Sequence, residues 1–116
     1  PTWTGKIALA YPSDYGYAAD LNQCVNKQLN KYNDSTCTSN NWMKSIITNN
    51  GSNDGWLLTP HSNYSYIAWG VYFNGIMGGN NAYYSSYGSA PVLYLSSELG
   101  IESGDGSSSN PYKLSA

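Results

Sequence analysis

The stretch NNAYYSSYGSAPVLYL, Asn80 to Leu95, changes character at a single point. Up to Ala90 it is built from Asn, Tyr, Ser, Gly and Ala, a mixture suited to a binding surface. From Pro91 it becomes the apolar run Pro91-Val92-Leu93-Tyr94-Leu95, which predicts a buried closing strand over Val92 to Leu95. Pro91 stands at its start, where a missing N–H is tolerated. The segment before it, NYSYIAWGVYFNGIMGG (Asn63 to Gly79), places strands at Ala68–Phe73 and Ile76–Gly78 around Asn74-Gly75, the dipeptide preferred in a type I′ hairpin turn. Alternation along the first strand turns Trp69, Val71 and Phe73 inward and leaves Gly70 and Tyr72 outward.

Working outward from this hairpin, Gly55–Pro60 reads as a short strand stopped by its proline, and Asn49–Gly55 as a loop by its turn chemistry. Asn40-Asn41 precedes a short helix, WMKSIIT, expected to bury Trp42, Ile46 and Met43. Asp20–Tyr32 reads as helical or irregular, with Leu21, Val25 and Leu29 at four-residue intervals. Trp3–Leu9 reads as an opening strand, followed by a turn at Tyr11-Pro12-Ser13-Asp14. Ser13 or Asp14 is expected to cap a helix that packs Tyr15, Tyr17 and Leu21 inward. At the far end, Ser103–Asn110 forms a Gly/Ser turn and Pro111–Leu114 adds an edge strand. Early helices followed by hairpins predict an α+β fold rather than a parallel α/β sheet.

A chain of 116 residues makes one domain, 1–116, with room for a single core. Five Lys, no Arg and a net charge of -2 argue against nucleic acid, whose binding is dominated by cationic contacts to phosphate, and against an anionic membrane surface. No apolar stretch approaches the roughly 18 residues of a membrane helix, so no direct membrane insertion by this segment is expected. No signal peptide is visible, and Pro1-Thr2-Trp3 is not a natural start, so the chain reads as a fragment or processed form.

Cys24 and Cys37 are too far apart for a redox pair, and with one His the chain has no zinc set. A disulfide closing this loop of about a dozen residues contributes on the order of 3 kcal/mol and implies an extracytoplasmic setting. The alternative is two free thiols in the cytosol.

The catalytic inventory is poor. His61 stands alone in Thr59-Pro60-His61-Ser62, and no Gly-x-Ser-x-Gly occurs. The acids Asp14, Asp20, Asp34, Asp54, Glu98, Glu102 and Asp105 sit among Ser, Asn or Gly, as solvated turn acids do. Gly104-Asp105-Gly106 lacks the Asp/Asn ladder and closing Glu of a calcium loop. No cofactor, metal or reaction is called for, which leaves a hydrolase using His61 and an acid as a distant alternative.

Twelve Tyr and four Trp stand against one Phe. Tyrosine offers large contact area and a polar tip at low entropic cost, while Ser, Gly and Asn give adaptable loops, the mixture that antibody binding loops use. Tyr64, Tyr66, Tyr72, Tyr83, Tyr84 and Tyr87 cannot all be core, because buried hydroxyls need partners. Either several stand exposed as a binding surface, or they form cross-strand pairs on a merely soluble sheet.

Taken together, Trp56-x-Leu58-Thr59-Pro60, Val71, Gly75, Tyr87-Gly88, Pro91-Val92-Leu93-Tyr94-Leu95 and Gly104-Asp105-Gly106-x-x-x-Asn110-Pro111-Tyr112-x-Leu114 resemble a family of bacterial extracellular domains. The upstream Tyr11-Pro12-Ser13-Asp14-Tyr15-Gly16-Tyr17-Ala18, Cys24, Cys37 and Trp42 also fit. Such domains occur in surface and pilin-like proteins and are similar to the C-type lectin fold. Some are variable proteins of diversity-generating retroelements. The resemblance implies a C-type lectin-like scaffold, with short N-terminal helices on small antiparallel sheets. It also implies an adhesin-like ligand-binding surface near the C-terminus and a place on the bacterial cell surface or pilus.

In diversified members, mutagenesis at template adenines yields Tyr, Asn, Ser, Gly and similar residues, and cannot yield Lys, Glu, Gln, Met or Trp. Between Ser62 and Leu95 only Trp69 and Met77 belong to that second group. The family's usual Gly-Val-Arg-Pro is here Gly88-Ser89-Ala90-Pro91, which removes a planar multi-donor anchor. The surface implied for a protein or other cell-surface macromolecule comprises Tyr64, Tyr66, Tyr72, Ile76, Asn80, Asn81, Tyr83, Tyr84 and Tyr87. The alternative is a structural head of a minor pilin or cell-wall module, with sister pilin subunits as partners.

Overall fold

The computed structural model describes residues 5, 7–24, 34–107 and 109–115. It is a mixed α+β structure of short helices and small antiparallel sheets, in the order β1 (Ala8–Leu9), α1 (Pro12–Tyr17), α2 (Ser35–Ser39), α3 (Trp42–Ile47), β2 (Gly55–Pro60), β3 (Ile67–Val71), β4 (Met77–Asn81), β5 (Pro91–Val92), β6 (Gly100–Ser103) and β7 (Lys113–Ser115). The central sheet runs β2-β3-β4, while β1 pairs with β5 and β6 with β7. The expected opening strand is realised only as β1 within the described residues, and Val25 and Leu29 lie outside them.

The helices are short, and side-chain caps fix where they begin. Pro12 opens α1 behind Tyr11, whose amide N–H donates to the Asp14 carboxylate at 2.8 Å. Asp14 therefore caps from inside the first turn rather than preceding the helix as expected. Asp34 caps α2 by accepting from the Thr36 N–H at 2.9 Å, and that bond holds its carboxyl below the usual carboxylate range. Buried Asn41 caps α3 by accepting from the Met43 N–H at 2.9 Å. Its amide also donates to the Tyr15 carbonyl at 2.6 Å, tying α3 to α1.

Two expected core sets are out of phase with these caps. On α1 Tyr15 and Gly16 are buried, while Tyr17 and, beyond the helix, Leu21 are exposed. Residues two apart on a helix point to nearly opposite sides, so Tyr15 and Tyr17 cannot share a face. On α3 the inward pair is Met43 and Ile47, four residues apart, while Trp42 and Ile46 stand in solvent. Cys24 and Cys37 are joined by a disulfide, both fully buried.

The core lies between these helices and one face of the central sheet, to which Leu57, Val71 and Met77 contribute. The Tyr15 hydroxyl crosses this core to donate to the Gly75 carbonyl at 2.9 Å, anchoring the hairpin turn. That turn is not the expected two-residue type. The Tyr72 N–H donates to Ile76 and the Gly75 N–H to Tyr72, with Gly75 at φ +90° while Asn74 stays at negative φ. This is a three-residue Phe73-Asn74-Gly75 loop ending in a glycine bulge.

The bulge shifts the register by one residue relative to a type I′ turn, and pairs Val71 with Met77 and Gly70 with Gly78. It also leaves Phe73 in the loop, exposed rather than inward. β4 runs on to Asn81, so Asn80 and Asn81 belong to a strand.

The sharpest departure is at Val92–Leu95. The strand ends at Val92, and Leu93, Tyr94 and Leu95 are all exposed. A buried closing strand needs a neighbour on each edge or face, and among the described residues β5 has the two-residue β1 beside it and no other strand. Beyond it, β6 and β7 form a ribbon exposed at every described position. Its connecting turn closes on Asp105, whose carboxyl Ser107 and Asn110 hold below the usual range.

Candidate functional site

The nine tyrosine, asparagine and isoleucine positions expected on one surface fall into three groups. The first is a half-buried floor on the sheet face turned away from the core. Gly70 and Gly78 are opposite each other there. A β-carbon at Gly70 would lie 2.9 Å from the Tyr87 ring, and one at Gly78 would lie 2.6 Å from the Tyr72 ring. The two tyrosines thus occupy the space that side chains of the strands would fill.

Tyr87 also stacks on Trp56, with ring centroids 4.1 Å apart and planes at 25°. The Asn80 amide donates to its hydroxyl at 2.8 Å. Burial pushes the Tyr87 phenol up to about 12, and the nearby Asp54 carboxylate acts in the same direction, against the Asn80 hydrogen bond. The loop carrying Tyr87 is pinned to β2 by two backbone bonds, Gly88 N–H to Asp54 at 2.7 Å and Trp56 N–H to Gly88 at 2.9 Å.

The second group is an exposed rim made by two loops at the end of β3 and β4 remote from the Gly75 turn. The β2–β3 loop carries Tyr64 and Tyr66, 50% and 57% exposed; the segment after β4 carries Tyr83 and Tyr84, 75% and 43% exposed. Backbone bonds join the loops, with the Ala82 N–H donating to the Tyr66 carbonyl at 2.9 Å. The Asn81 amide donates to the Tyr83 hydroxyl at 3.2 Å, and the rings of Tyr83 and Tyr84 are tilted against each other at 5.1 Å.

His61 sits at the root of this rim. Its ring stacks on Trp69 at 5.9 Å and meets Tyr64 at 5.4 Å, and Tyr64 in turn meets Tyr66 at 5.8 Å. The His61 Nδ1 accepts from the Asn63 N–H at 3.2 Å. The histidine therefore belongs to an aromatic series that runs from the core-packed Trp69 out to solvent.

The third group is Ile76 alone. It is half-buried beside the Gly75 turn, a full strand length of about 15 Å from the rim. Rim and floor share the asparagines instead: Asn80 bonds Tyr87 on the floor, and Asn81 bonds Tyr83 on the rim.

Sequence reasoning gave Trp56, Gly70 and Gly78 no part in the surface and missed the packing role of His61. Trp56 and Tyr87 are far apart in the chain, and no local pattern links them. The Gly70–Gly78 pair was obscured by the turn type, since a type I′ register sets Gly70 opposite Gly79.

Chemically the rim offers flat apolar rings edged with hydroxyls and amides, and it carries no formal charge. Among the described residues, no group of three or more His, Cys, Asp or Glu side chains is placed to hold a metal ion. Compared with protein-family models, curated proteins and solved structures, the chain matches none.

Proposed function

We propose that this chain is a non-enzymatic, extracellular ligand-binding domain of C-type lectin-like fold, whose tyrosine rim meets a protein or other cell-surface macromolecule. The observation that carries this reading is the rim itself: Tyr64, Tyr66, Tyr83 and Tyr84 stand exposed on two hydrogen-bonded loops above an ordered aromatic floor. Exposed rings on a rigid base lose little entropy on binding, which is how aromatic paratopes gain affinity. The disulfide is compatible with an extracellular setting, and no helix among the described residues is long and apolar enough to cross a membrane.

The composition of the rim fits a surface varied by a diversity-generating retroelement. The fixed positions Trp69 and Met77 then act as scaffold: Met77 is buried, and Trp69 is packed against the core. A near-copy of the coding region for Ser62–Leu95 beside a reverse-transcriptase gene is the genomic counterpart this reading requires.

The decisive experiment screens the domain against immobilised extracellular proteins and glycans, and repeats every positive with Tyr83→Ala/Tyr84→Ala. Central aromatic anchors each contribute about 2 kcal/mol or more, so the double variant is expected to lose binding while keeping the wild-type thermal transition. Unchanged binding, or a lost transition, would overturn the reading. A second reading, a structural head of a minor pilin or wall module, is favoured by the exposed apolar surface around Leu93 and Tyr94.

A further inference from the structure

A cavity of about 420 Å³ opens between α1, the start of α3 and the chain just past β5, and no residue of the tyrosine rim or its floor lines it. Small-molecule sites typically measure roughly 300–1,000 Å³. Three rings from three segments wall this one: Tyr17, Trp42 and Tyr94. They are 77%, 66% and 83% exposed, and among the described residues none of them makes a ring contact. Their faces are therefore not taken up by the protein's own packing.

Asp14 brings the only formal charge in the lining. It stands one helical turn before Tyr17 on the same side of α1, so carboxylate and ring border the cavity together. One carboxylate oxygen accepts the Tyr11 N–H at 2.8 Å, and the other has no partner among the described residues. Ring faces carry negative potential, and the free oxygen adds to it. A cation complements both.

The rest of the lining decides which kind of cation. Apart from the two phenol hydroxyls, the remaining side chains, such as Met43, Val92 and Leu93, are apolar. An alkylammonium has three N–H donors and a guanidinium five, and here most of them would lose water without gaining an acceptor. A quaternary ammonium has no donor to satisfy. Its charge is spread over methyl groups, which aromatic faces and hydrocarbon can take directly.

We infer that this cavity binds a small quaternary ammonium compound, with the trimethylammonium head against the faces of Tyr17, Trp42 and Tyr94 and its charge balanced by Asp14. The site is separate from the rim and does not depend on what the rim binds. Trp42 contributes most to it, since tryptophan presents the strongest cation-binding face.

Titration with choline, followed by amide shifts in two-dimensional NMR, tests this. Saturable shifts at millimolar choline are expected for Tyr17, Met43 and Leu93. The uncharged isostere, with a tert-butyl group in place of trimethylammonium, is expected to bind at least tenfold more weakly. Trp42→Leu keeps an apolar wall but removes the ring, at an exposed position, and is expected to weaken choline binding about tenfold, with Trp42→Phe recovering part of the loss. Asp14→Asn keeps an acceptor for the Tyr11 N–H and is expected to weaken it several-fold. Tyr83→Ala/Tyr84→Ala is expected to leave choline binding unchanged while the rim's own ligand is lost, which separates the two sites. Absence of saturable shifts, an isostere that binds as well as choline, or a Trp42→Leu variant that binds as the wild type does would each overturn the proposal. So would tighter retention on phosphatidylcholine vesicles than by free choline at equal headgroup concentration, which would make the site a lipid-surface contact.

Discussion

Gly70 and Gly78 lie directly opposite each other in β3 and β4, and each is covered by a tyrosine ring where its own side chain would stand. The pair converts two strand positions into a seat for Tyr87 and Tyr72. The two seats differ in stiffness. A β-carbon at Gly70 meets the Gly55 carbonyl at 2.9 Å as well as the Tyr87 ring, whereas the nearest atoms around Gly78 all belong to Tyr72. Backbone cannot yield as a side chain can. Gly70→Ala is therefore expected to cost about 1–3 kcal/mol in urea denaturation, and Gly78→Ala less than about 1 kcal/mol, as Tyr72 swings aside. Equal losses would show that the Gly55 carbonyl is not a constraint.

Tyr87 should ionise late. Its folded-state phenol is raised to about 12, against an ordinary value of 10.0. A raised value means the folded state holds its proton longer than the unfolded chain does. The associated stability is present below pH 10 and falls as pH climbs toward 12. A tyrosinate absorbance titration is expected to show one late step that disappears in Tyr87→Phe, together with a weaker loss of stability over that interval.

Asn41 joins two helices with one buried side chain. It accepts from Met43 and donates to Tyr15, and it is 6% exposed. Removing it takes away a helix cap and leaves a buried carbonyl with fewer partners. Asn41→Ala is expected to cost about 2–3 kcal/mol in chemical denaturation. Asn41→Asp keeps the cap acceptor but sets a buried carboxylate oxygen against the Tyr15 carbonyl, and is expected to cost at least as much.

Closing the loop between Cys24 and Cys37 restricts the unfolded chain. Cys24→Ser/Cys37→Ser, or reduction, is expected to lower stability by about 3 kcal/mol. Because both sulfurs are fully buried, the serine pair adds the cost of two hydroxyls in an apolar site. Cys24→Ala/Cys37→Ala is accordingly the milder change, and the order of the two double variants in thermal melts checks the argument.

Local chemistry made several features legible from residues alone. Asn74-Gly75 marks the hairpin, because positive φ at that point calls for glycine. Gly55–Pro60 reads as a strand with a stop, and the Tyr/Asn/Ser/Gly loops read as surface because so many phenols cannot all find buried partners. The cysteine spacing allowed a disulfide, and Trp69 and Val71 face inward as alternation requires.

Other features depended on register and on neighbours distant in the chain. A one-residue bulge at Gly75, invisible in the dipeptide, decided that Gly70 meets Gly78 and that Phe73 points to solvent. The phase of α3 was set by the Asn41 cap and its bond to Tyr15, so Met43 is buried as expected and Ile47 joins it in place of Trp42 and Ile46. Apolar composition at Val92–Leu95 states a preference for burial but not what provides it. Hydrophobicity is non-directional, and with β1 the one strand beside β5 among the described residues, Leu93, Tyr94 and Leu95 stay outside.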